Sequence, residues 1–453
     1  MSNNNPYICR KFISLYFLIV FMKKSFLLLV ILITIIYCSE LSSQNLKYAH
    51  KVMKDLCAKE MFGRSTYKNG DSIAAEYVAK EFLKFNLKPI NETKGTAGYK
   101  QFFAFNNVVL ENVRFELGKG NIMRPDDDYY ILGSSPTTDL ELENVRPLII
   151  IDKRHWELVK ETNIPDVILV FNAKSFDLSI KEIANFVDTG LGNIKPKLVI
   201  FQGYEKISYY IGRDKISNYP VMQIVGDKIG QTIPYLKLNI KTKLVEQHNG
   251  ANVIGIVEGK RKSDYIFITA HYDALGMFGD KVFHGAHDNA SGIATMLDLA
   301  SFYSKSENKP QYSLVFIAFR GEEIGLLGSK HYVDNPVVPN DKINIVLNLD
   351  LVGSGSGGII VVNGDANDTK KHYKELEKLC NDEYYFHKIS TLPHKCYSDH
   401  CSFVEKGIPA IFMMTSGEEC KYGHSIYDSY ENTPFTKYES IFKLIRDFIT
   451  ITK

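Results

Sequence analysis

Tyr265-Ile-Phe-Ile-Thr-Ala-His-Tyr-Asp273 joins an apolar run to a histidine and an aspartate, and it indicates the fold of the chain. An apolar run without polar alternation is typical of a strand that is buried on both faces. His271 and Asp273 follow it directly and point the same way, because side chains alternate along a strand. A histidine can bind a metal through one ring nitrogen while the other nitrogen donates to a carboxylate. The stretch therefore predicts a buried strand that ends at a candidate metal ligand.

Further apolar runs of the same kind lie in the second half of the chain. They are Val253-Ile-Gly-Ile-Val257, Leu314-Val-Phe-Ile-Ala-Phe319 and Ile343-Asn-Ile-Val-Leu-Asn-Leu349. Helical patterns alternate with them, over Gly292 to Ser304 and from Thr433-Pro434 onward. Because such strands must be covered on both faces, we predict a three-layer α/β/α domain around a mixed, mostly parallel sheet.

A different pattern runs from about Asn107 to Lys243. Short apolar runs recur there, such as Pro147-Leu-Ile-Ile-Ile151 and Val167-Ile-Leu-Val-Phe171, and His, Asp and Glu do not cluster. We predict that residues 107–243 are an inserted β-rich domain without chemistry of its own. Residues 45–106 and 244–453 would then form the domain that carries the site.

The amino end has the pattern of an export signal. Met22-Lys-Lys-Ser precedes an apolar run from Phe26 to Cys38, and polar residues follow as far as Gln44. We therefore predict a signal peptide within residues 1–44 and an exported protein. A second apolar stretch begins at Phe12, so a true start at Met22 and an uncleaved membrane anchor both stay open as alternatives.

Composition limits the classes of partner. The chain has 453 residues, which is enough for two domains with large cores. Its formal net charge is +2 and it contains no basic tract, so we expect no nucleic-acid partner. Contact with a membrane is expected only through an uncleaved leader.

The cysteines predict a disulfide near the carboxyl end. Cys396, Cys401 and Cys420 lie close together in the sequence, and an exported protein permits disulfides. The five cysteines beyond the leader leave at least one thiol free. The absence of any Cys-x-x-Cys pair argues against a zinc site built from thiolates.

Acidic side chains and a histidine follow three predicted strands or precede a helix. They are His271, Asp273, Asp288, Glu322, Glu323 and Asp350. Ligands collect beyond the carboxyl ends of parallel strands, so we expect these side chains to converge. Crowded carboxylates repel one another and need a cation to stay ionised. Carboxylates with imidazole and no thiolate suit catalytic zinc, and two metals bridged by one carboxylate would use the whole set.

Six motifs occur in an order that resembles a known enzyme family. They are His271-Tyr-Asp273, Gly285-Ala-His-Asp-Asn-Ala-Ser-Gly292, Gly321-Glu-Glu-Ile-Gly-Leu-Leu-Gly-Ser329, Asn348-Leu-Asp350, Ser398-Asp-His-Cys-Ser-Phe403 and His424-Ser-Ile-Tyr-Asp-Ser429. The chain resembles the co-catalytic zinc exopeptidases of the bacterial leucyl aminopeptidase, aminopeptidase Y and glutamate carboxypeptidase type. The similarity covers about residues 46–105 and 247–453.

The resemblance implies a site with two zinc ions and five protein ligands. Asp288 would bridge the two ions. His271 and Asp350 would complete one site, and Glu323 and His424 would complete the other.

Other residues would support these ligands. By the resemblance, Glu322 would be the general base and then the general acid. Asp273 would orient His271, and the peptide bond between Asp288 and Asn289 would be cis. Tyr397 is a candidate donor to the developing oxyanion. Further candidates for the pocket are Ser398, Asp399 and His400.

The sequence departs from the family pattern beside one ligand. Ser425-Ile426 stands where Thr-Pro is usual, so His424 has less support than the other ligands. His400 is the rival candidate, although the histidine of that motif is not a metal ligand in the family. His287 stands where the family varies, and we expect no role for it.

The inserted segment also fits the resemblance. Members of the family often carry a protease-associated domain between the first helices and the catalytic strands. The runs Val167-Ile-Leu-Val-Phe171 and Lys197-Leu-Val-Ile-Phe201 are similar to its strands. Such a domain would shape substrate access and take no part in the chemistry.

The resemblance implies an aminopeptidase that hydrolyses peptide substrates with two zinc ions per chain. A glutaminyl cyclase with one zinc, a carboxypeptidase for acidic dipeptides and a receptor-like binding module are the alternatives. The complete ligand set argues against the cyclase and the binding module. Arg320 is the single arginine of the motif loops, which argues against a pocket for acidic substrates.

Overall fold

The computed structural model describes residues 44–205 and 214–452. The predicted leader lies outside these residues except for Gln44. Within the described ranges, no helix combines the length and the apolar composition that a bilayer span requires.

Strands and helices alternate along most of the described chain. The strands are β1 (Lys100–Leu117), β2 (Tyr129–Ile131), β3 (Thr138–Val145), β4 (Leu148–Ile150), β5 (Ile164–Asn172), β6 (Ile194–Tyr204), β7 (Val221–Val225), β8 (Ile233–Val257), β9 (Arg261–His271), β10 (Met277–Phe278), β11 (Lys281–Val282), β12 (Tyr312–Phe319), β13 (Ile343–Leu349), β14 (Gly358–Val362), β15 (Ile389–Leu392) and β16 (Ala410–Ser416). The α-helices are α1 (Leu46–Leu56), α2 (Gly70–Lys84), α3 (Lys153–Val159), α4 (Ala173–Phe176), α5 (Ile180–Thr189), α6 (Ser291–Tyr303), α7 (Leu327–Asp334), α8 (Lys370–Asp382), α9 (His400–Val404) and α10 (Tyr438–Ile451).

The larger sheet of the described residues has nine strands. Eight of them follow the order β1-β8-β12-β9-β13-β16-β14-β15, and β3 pairs with β8. The four strands at its centre, β12, β9, β13 and β16, are parallel. Antiparallel pairs flank them on both sides. The prediction of a mixed sheet is confirmed. The sheet is not mostly parallel, because four of its strand pairings are parallel and four are antiparallel.

Helices cover both faces of this sheet, as predicted. Alternate residues of β9 divide between two apolar clusters: Ile266 and Ile268 pack with α1, α2, α6 and α10, and Phe267 packs with α7 and α9. A continuous apolar run therefore fits β9, because both faces of the strand lie in a core. The fold is the predicted three-layer α/β/α arrangement.

The last helix begins later than the sequence predicted. Thr433-Pro434 was expected to begin it, but α10 starts at Tyr438. Phe435 lies between them with φ of +56°, in the left-handed region that a right-handed helix cannot include. The predicted start was wrong because one backbone torsion interrupts the helical pattern.

A second sheet lies within the predicted insert. Its order is β2-β7-β6-β5-β4, and helices α3 and α5 cover one face through Trp156 and Ile183. The strands β1 and β8 pair from Lys100 opposite Val253 to Leu117 opposite Leu236, with register shifts between Phe105 and Asn107 and between Leu110 and Asn112. Both proposed insert boundaries, at residues 107 and 243, therefore fall inside one long two-stranded ribbon. The division into domains stays a prediction.

Candidate metal centre

The parallel strands at the centre of the sheet bring the predicted ligands together. His271 is the last residue of β9 and lies in register with Phe319, the last residue of β12. Glu322 and Glu323 lie three and four residues after the end of β12, and Asp350 directly follows β13. These ends share one edge of the sheet because β12, β9 and β13 are parallel neighbours.

Asp288 lies between the two predicted histidine ligands. Its Oδ1 atom is 3.2 Å from His271 Nε2, and its Oδ2 atom is 2.9 Å from His424 Nε2. Each histidine also lies near a second carboxylate. His271 Nε2 is 3.4 Å from Asp350 Oδ1, and His424 Nε2 is 3.4 Å from Glu323 Oε2. The five predicted ligands thus form two groups that share one carboxylate. The peptide bond between Asp288 and Asn289 is cis, as the resemblance implies.

The ligand set fits a divalent cation. His271 Nε2, Glu323 Oε1 and Asp350 Oδ1 are buried and have no hydrogen-bond partner among the described residues. Buried polar atoms almost always have such a partner, so several orphans in one cluster indicate a missing positive group. Imidazole nitrogen and carboxylate oxygen are the donors of catalytic zinc sites. The residues present therefore fit the zinc ions that the resemblance implies.

The site carries more negative charge than its own residues neutralise. Burial raises the pKa of Glu322 well above its usual range, against the effect of His271, and burial raises the pKa of Glu323 to about 8. Burial would also raise the pKa of Asp288, but His424 and His271 outweigh it and hold the pKa of that carboxyl well below its usual range. The charge of Glu323 raises the pKa of His424 to about 10.

His271 is oriented from behind by Asp273. Its Nδ1 atom is 3.2 Å from the backbone carbonyl oxygen of Asp273 and 3.6 Å from Oδ1 of the same residue. The carbonyl is the hydrogen-bond acceptor at this distance. The Asp273 carboxylate instead accepts from the backbone N–H of Glu322 at 3.3 Å. One residue thus connects the ligand His271 to the candidate base.

A buried arginine neutralises Asp273, and the sequence did not reveal it. Arg320 donates to Asp273 Oδ2 at 2.9 Å, to Asp71 Oδ2 at 2.8 Å and to Thr66 Oγ1 at 3.0 Å. His248 Nε2 lies 2.7 Å from the same oxygen of Asp71. The position of Arg320, directly after a buried strand, was a signal that it needs a partner. One of its two carboxylate partners, Asp71, is 249 residues away in the chain.

Ser398 contacts the ligand Asp350. Its hydroxyl donates to Asp350 Oδ2 at 2.7 Å and accepts from Asn348 Nδ2 at 2.8 Å. Thr269 in turn donates to Asn348 Oδ1 at 2.8 Å. This chain of hydrogen bonds links three neighbouring segments and holds one carboxylate oxygen of Asp350.

The other predicted pocket residues have different surroundings. Tyr397 is 57% exposed. Asp399 and His400 are buried, and within the described part of the chain their side-chain polar atoms have no hydrogen-bond partner. Burial raises the pKa of Asp399 to about 7 and lowers the pKa of His400 to about 4. His400 lies against His394 and Phe412, and it is not part of the His271 and Asp288 cluster.

A disulfide encloses these residues. Cys396 is bonded to Cys401, which gives the pairing that the sequence left open, and Cys420 is free.

Asp428 is a second residue whose role the sequence did not reveal. Its carboxylate accepts from the backbone N–H of His287 at 2.8 Å and from the backbone N–H of Asp288 at 3.0 Å. It therefore holds the backbone of the shared ligand. Its place in the last motif, four residues after His424, was the available signal.

Comparisons with known proteins show which family and which enzymes the chain is similar to. Residues 252–449 match Peptidase family M28. "Aminopeptidase YwaD" of Bacillus subtilis is 32% identical over 175 residues, which are 37% of this chain and 36% of that protein. "Aminopeptidase" of Pseudomonas aeruginosa strain UCBPP-PA14 is 27% identical over 238 residues, which are 48% of this chain and 42% of that protein. The chain thus spans less than half the length of these curated relatives.

Solved structures share the fold over most of the chain. The structure of BSAP, a zinc aminopeptidase from Bacillus subtilis, matches with a TM-score of 0.65 and 20% identity, over 90% of this chain and 95% of that chain. A Peptidase M28 precursor from Shewanella amazonensis SB2B matches with a TM-score of 0.66 and 14% identity, over 90% and 94%. Residues 252–449, which match the model of Peptidase family M28, hold every predicted metal ligand.

Proposed function

We propose that the protein is an aminopeptidase that uses two zinc ions to hydrolyse the first peptide bond of a peptide. The position of Asp288 carries the proposal, because its two carboxylate oxygens face two different histidines at 3.2 and 2.9 Å. A carboxylate placed in this way suits two metals in one site. The names of the relatives, YwaD and BSAP among them, support the aminopeptidase class.

Zinc ions held by His271, Asp350, Asp288, Glu323 and His424 would supply Lewis acidity to the scissile carbonyl and to the attacking water. The chain itself supplies the proton transfer. Glu322 Oε2 is 3.9 Å from His271 Nε2, so the carboxylate stands beside the ligands. Its backbone N–H donates to Asp273, which holds the residue in place. We assign to Glu322 the removal of a proton from water and its delivery to the leaving amine nitrogen as the C–N bond breaks.

We further propose that the protein is exported and that residues 107–243 are a protease-associated domain. The leader pattern and the disulfide between Cys396 and Cys401 support export, because disulfides persist in oxidising compartments. The second sheet within the insert supports a separate module that shapes substrate access.

Glu322→Gln tests the proposal in the full chain. We expect turnover of a panel of aminoacyl-nitroanilides to fall by about 10²- to 10⁴-fold, because an amide cannot accept the proton. Zinc content, measured by elemental analysis, should stay at two ions per chain. Glu307→Gln, an identical change at an exposed site, is the matched control. A wild-type chain without chelator-sensitive activity on any substrate would overturn the proposal, and release of pyroglutamate from Gln peptides with one zinc would favour a cyclase.

A further inference from the structure

The loop that carries His424 is fastened to the predicted insert. We call residues 424–428 the ligand loop and residues 124–128, between β1 and β2, the acidic turn. The backbone N–H of Ile426 donates to Asp126 Oδ2 at 3.1 Å, and the hydroxyl of Tyr427 donates to Asp127 Oδ1 at 2.9 Å. The Ile426 side chain packs against the apolar cluster that contains Met123 and Tyr129. Two hydrogen bonds thus join the two segments, and an apolar contact lies beside them.

The acidic turn is held by contacts of its own. The backbone N–H of Arg124 donates to Asp128 Oδ2 at 2.9 Å, and Lys228 Nζ donates to Asp128 Oδ1 at 2.6 Å. The backbone N–H of Asp126 donates to the carbonyl of Tyr129 at 3.0 Å. The turn is therefore held by contacts that do not involve the ligand loop, and it can act as an anchor for that loop.

His424 needs an anchor more than the other predicted ligands do. It lies on a loop beyond β16, and its side chain is 48% exposed. Its φ is +56°, in the left-handed region that residues other than glycine seldom adopt. Such a conformation persists only where the surroundings impose it. The hydrogen bond to Asp126 is made two residues further along the chain.

The departure from the family pattern makes this anchor possible. Proline, the residue usual at position 426, has a fixed φ and no N–H to donate. Ile426 provides both the N–H that Asp126 accepts and the side chain that enters the apolar cluster. At position 426, a contact with the insert thus replaces the rigid backbone that a proline would provide.

We propose that Asp126 is a positioning residue for the metal site, which it completes by holding the ligand loop so that His424 faces Asp288 and Glu323. This inference rests on the proposed two-zinc function. It gives the insert a role in metal binding, in addition to any role in substrate access.

Zinc titration of the metal-free full chain tests the role of Asp126. Removal of a partner that orients a ligand weakens metal binding by about 10- to 100-fold, and we expect this loss in Asp126→Ala at one of the two zinc sites. The other site should keep its wild-type affinity. Asp126→Asn should retain most of the affinity, because its amide oxygen still accepts the N–H. Asp139→Ala is the matched control, since it removes an aspartate of the same insert that pairs with Asn239 instead.

A double-mutant cycle separates the hydrogen bond from a general loss of structure. Ile426→Pro removes the N–H, so Asp126→Ala should cause no further loss of zinc affinity in that background. An equal loss in both backgrounds would show that Asp126 acts by another route and would overturn the inference.

Amide hydrogen exchange of the metal-free protein gives a readout that does not involve zinc. In Asp126→Ala the ligand loop should exchange several-fold faster, while the strands of the central sheet keep their protection. Unchanged exchange together with unchanged zinc affinity overturns the inference and leaves the proposed function intact. A wild-type chain that binds fewer than two zinc ions overturns both.

Discussion

The two histidines of the site are held in opposite ways. His271 ends a central strand, is 1% exposed, and is backed by Asp273 and the buried Arg320. His424 lies on a loop, is 48% exposed, and depends on contacts from a segment about 300 residues earlier. A ligand at the end of a buried parallel strand is placed by the sheet itself. A ligand on a loop needs dedicated partners, and those partners can differ from one chain to another.

The variants His271→Ala and His424→Ala test this comparison directly. Each removes a predicted zinc ligand, so we expect kcat/KM to fall by about 10³-fold or more in both, equivalent to about 4 kcal/mol of transition-state stabilisation. The metal-free proteins should differ. His271→Ala should lower the free energy of unfolding by about 2–3 kcal/mol, because a cavity and unpaired buried carboxylates remain.

His424→Ala should destabilise the metal-free protein less, by about 1 kcal/mol, because the side chain is half exposed and its removal leaves no buried cavity, although Asp288 and Glu323 lose a paired cation. Denaturant unfolding with chelator present measures both values. Equal destabilisation by the two changes would break the comparison.

Arg320→Leu tests the support behind the strand-end histidine. The change leaves Asp71 and Asp273 buried without their cation, and breaking such a group costs about 3–5 kcal/mol. Denaturant unfolding should detect this loss, and the zinc affinity of the His271 site should fall with it. Arg261→Leu, at an exposed arginine, should cost less than about 1 kcal/mol. A leucine variant as stable as the wild type would show that the buried charges are solvated in some other way.

The smallest expected effect concerns acid stability on the His424 side. Glu419, in the loop that leads to His424, accepts from the backbone N–H of Ser356 at 2.9 Å and from its hydroxyl. Burial opposes ionisation, but the hydrogen bonds from Ser356 outweigh it and lower the pKa of Glu419 to about 2. A lowered pKa stabilises the folded state above the unfolded pKa of about 4.3, and this contribution is lost as the pH falls toward 2.

Glu419→Gln should therefore be less stable than the wild type by about 1 kcal/mol at pH 6. The difference should shrink between pH 4.3 and pH 2 as the wild-type carboxylate becomes protonated. Denaturant unfolding at several pH values measures it. A difference that stays constant with pH would mean that the ionised carboxylate contributes nothing.

Much of the site could be predicted because its residues are close to regular elements. Each of the residues His271, Glu322, Glu323 and Asp350 lies within four residues of the end of an apolar run, and parallel strands end at a common edge. The beginning of α10 was mispredicted because a single left-handed residue, Phe435, is not visible in a hydrophobic pattern. The partners of Asp273, Asp288 and Ile426 were not predicted either. They are joined through individual contacts between distant segments, and periodicity does not report such contacts.

The sequence by itself determined the three-layer fold, the chemistry of the ligands and their order, because hydrophobic period and residue type are local properties. Only the tertiary structure decided how each ligand is held. It placed Arg320 between Asp71 and Asp273, and it placed Asp126 under the ligand loop. The physical reason is that a buried charge or a loop N–H takes whichever partner the packing brings within hydrogen-bond distance, however far apart the two lie in the chain.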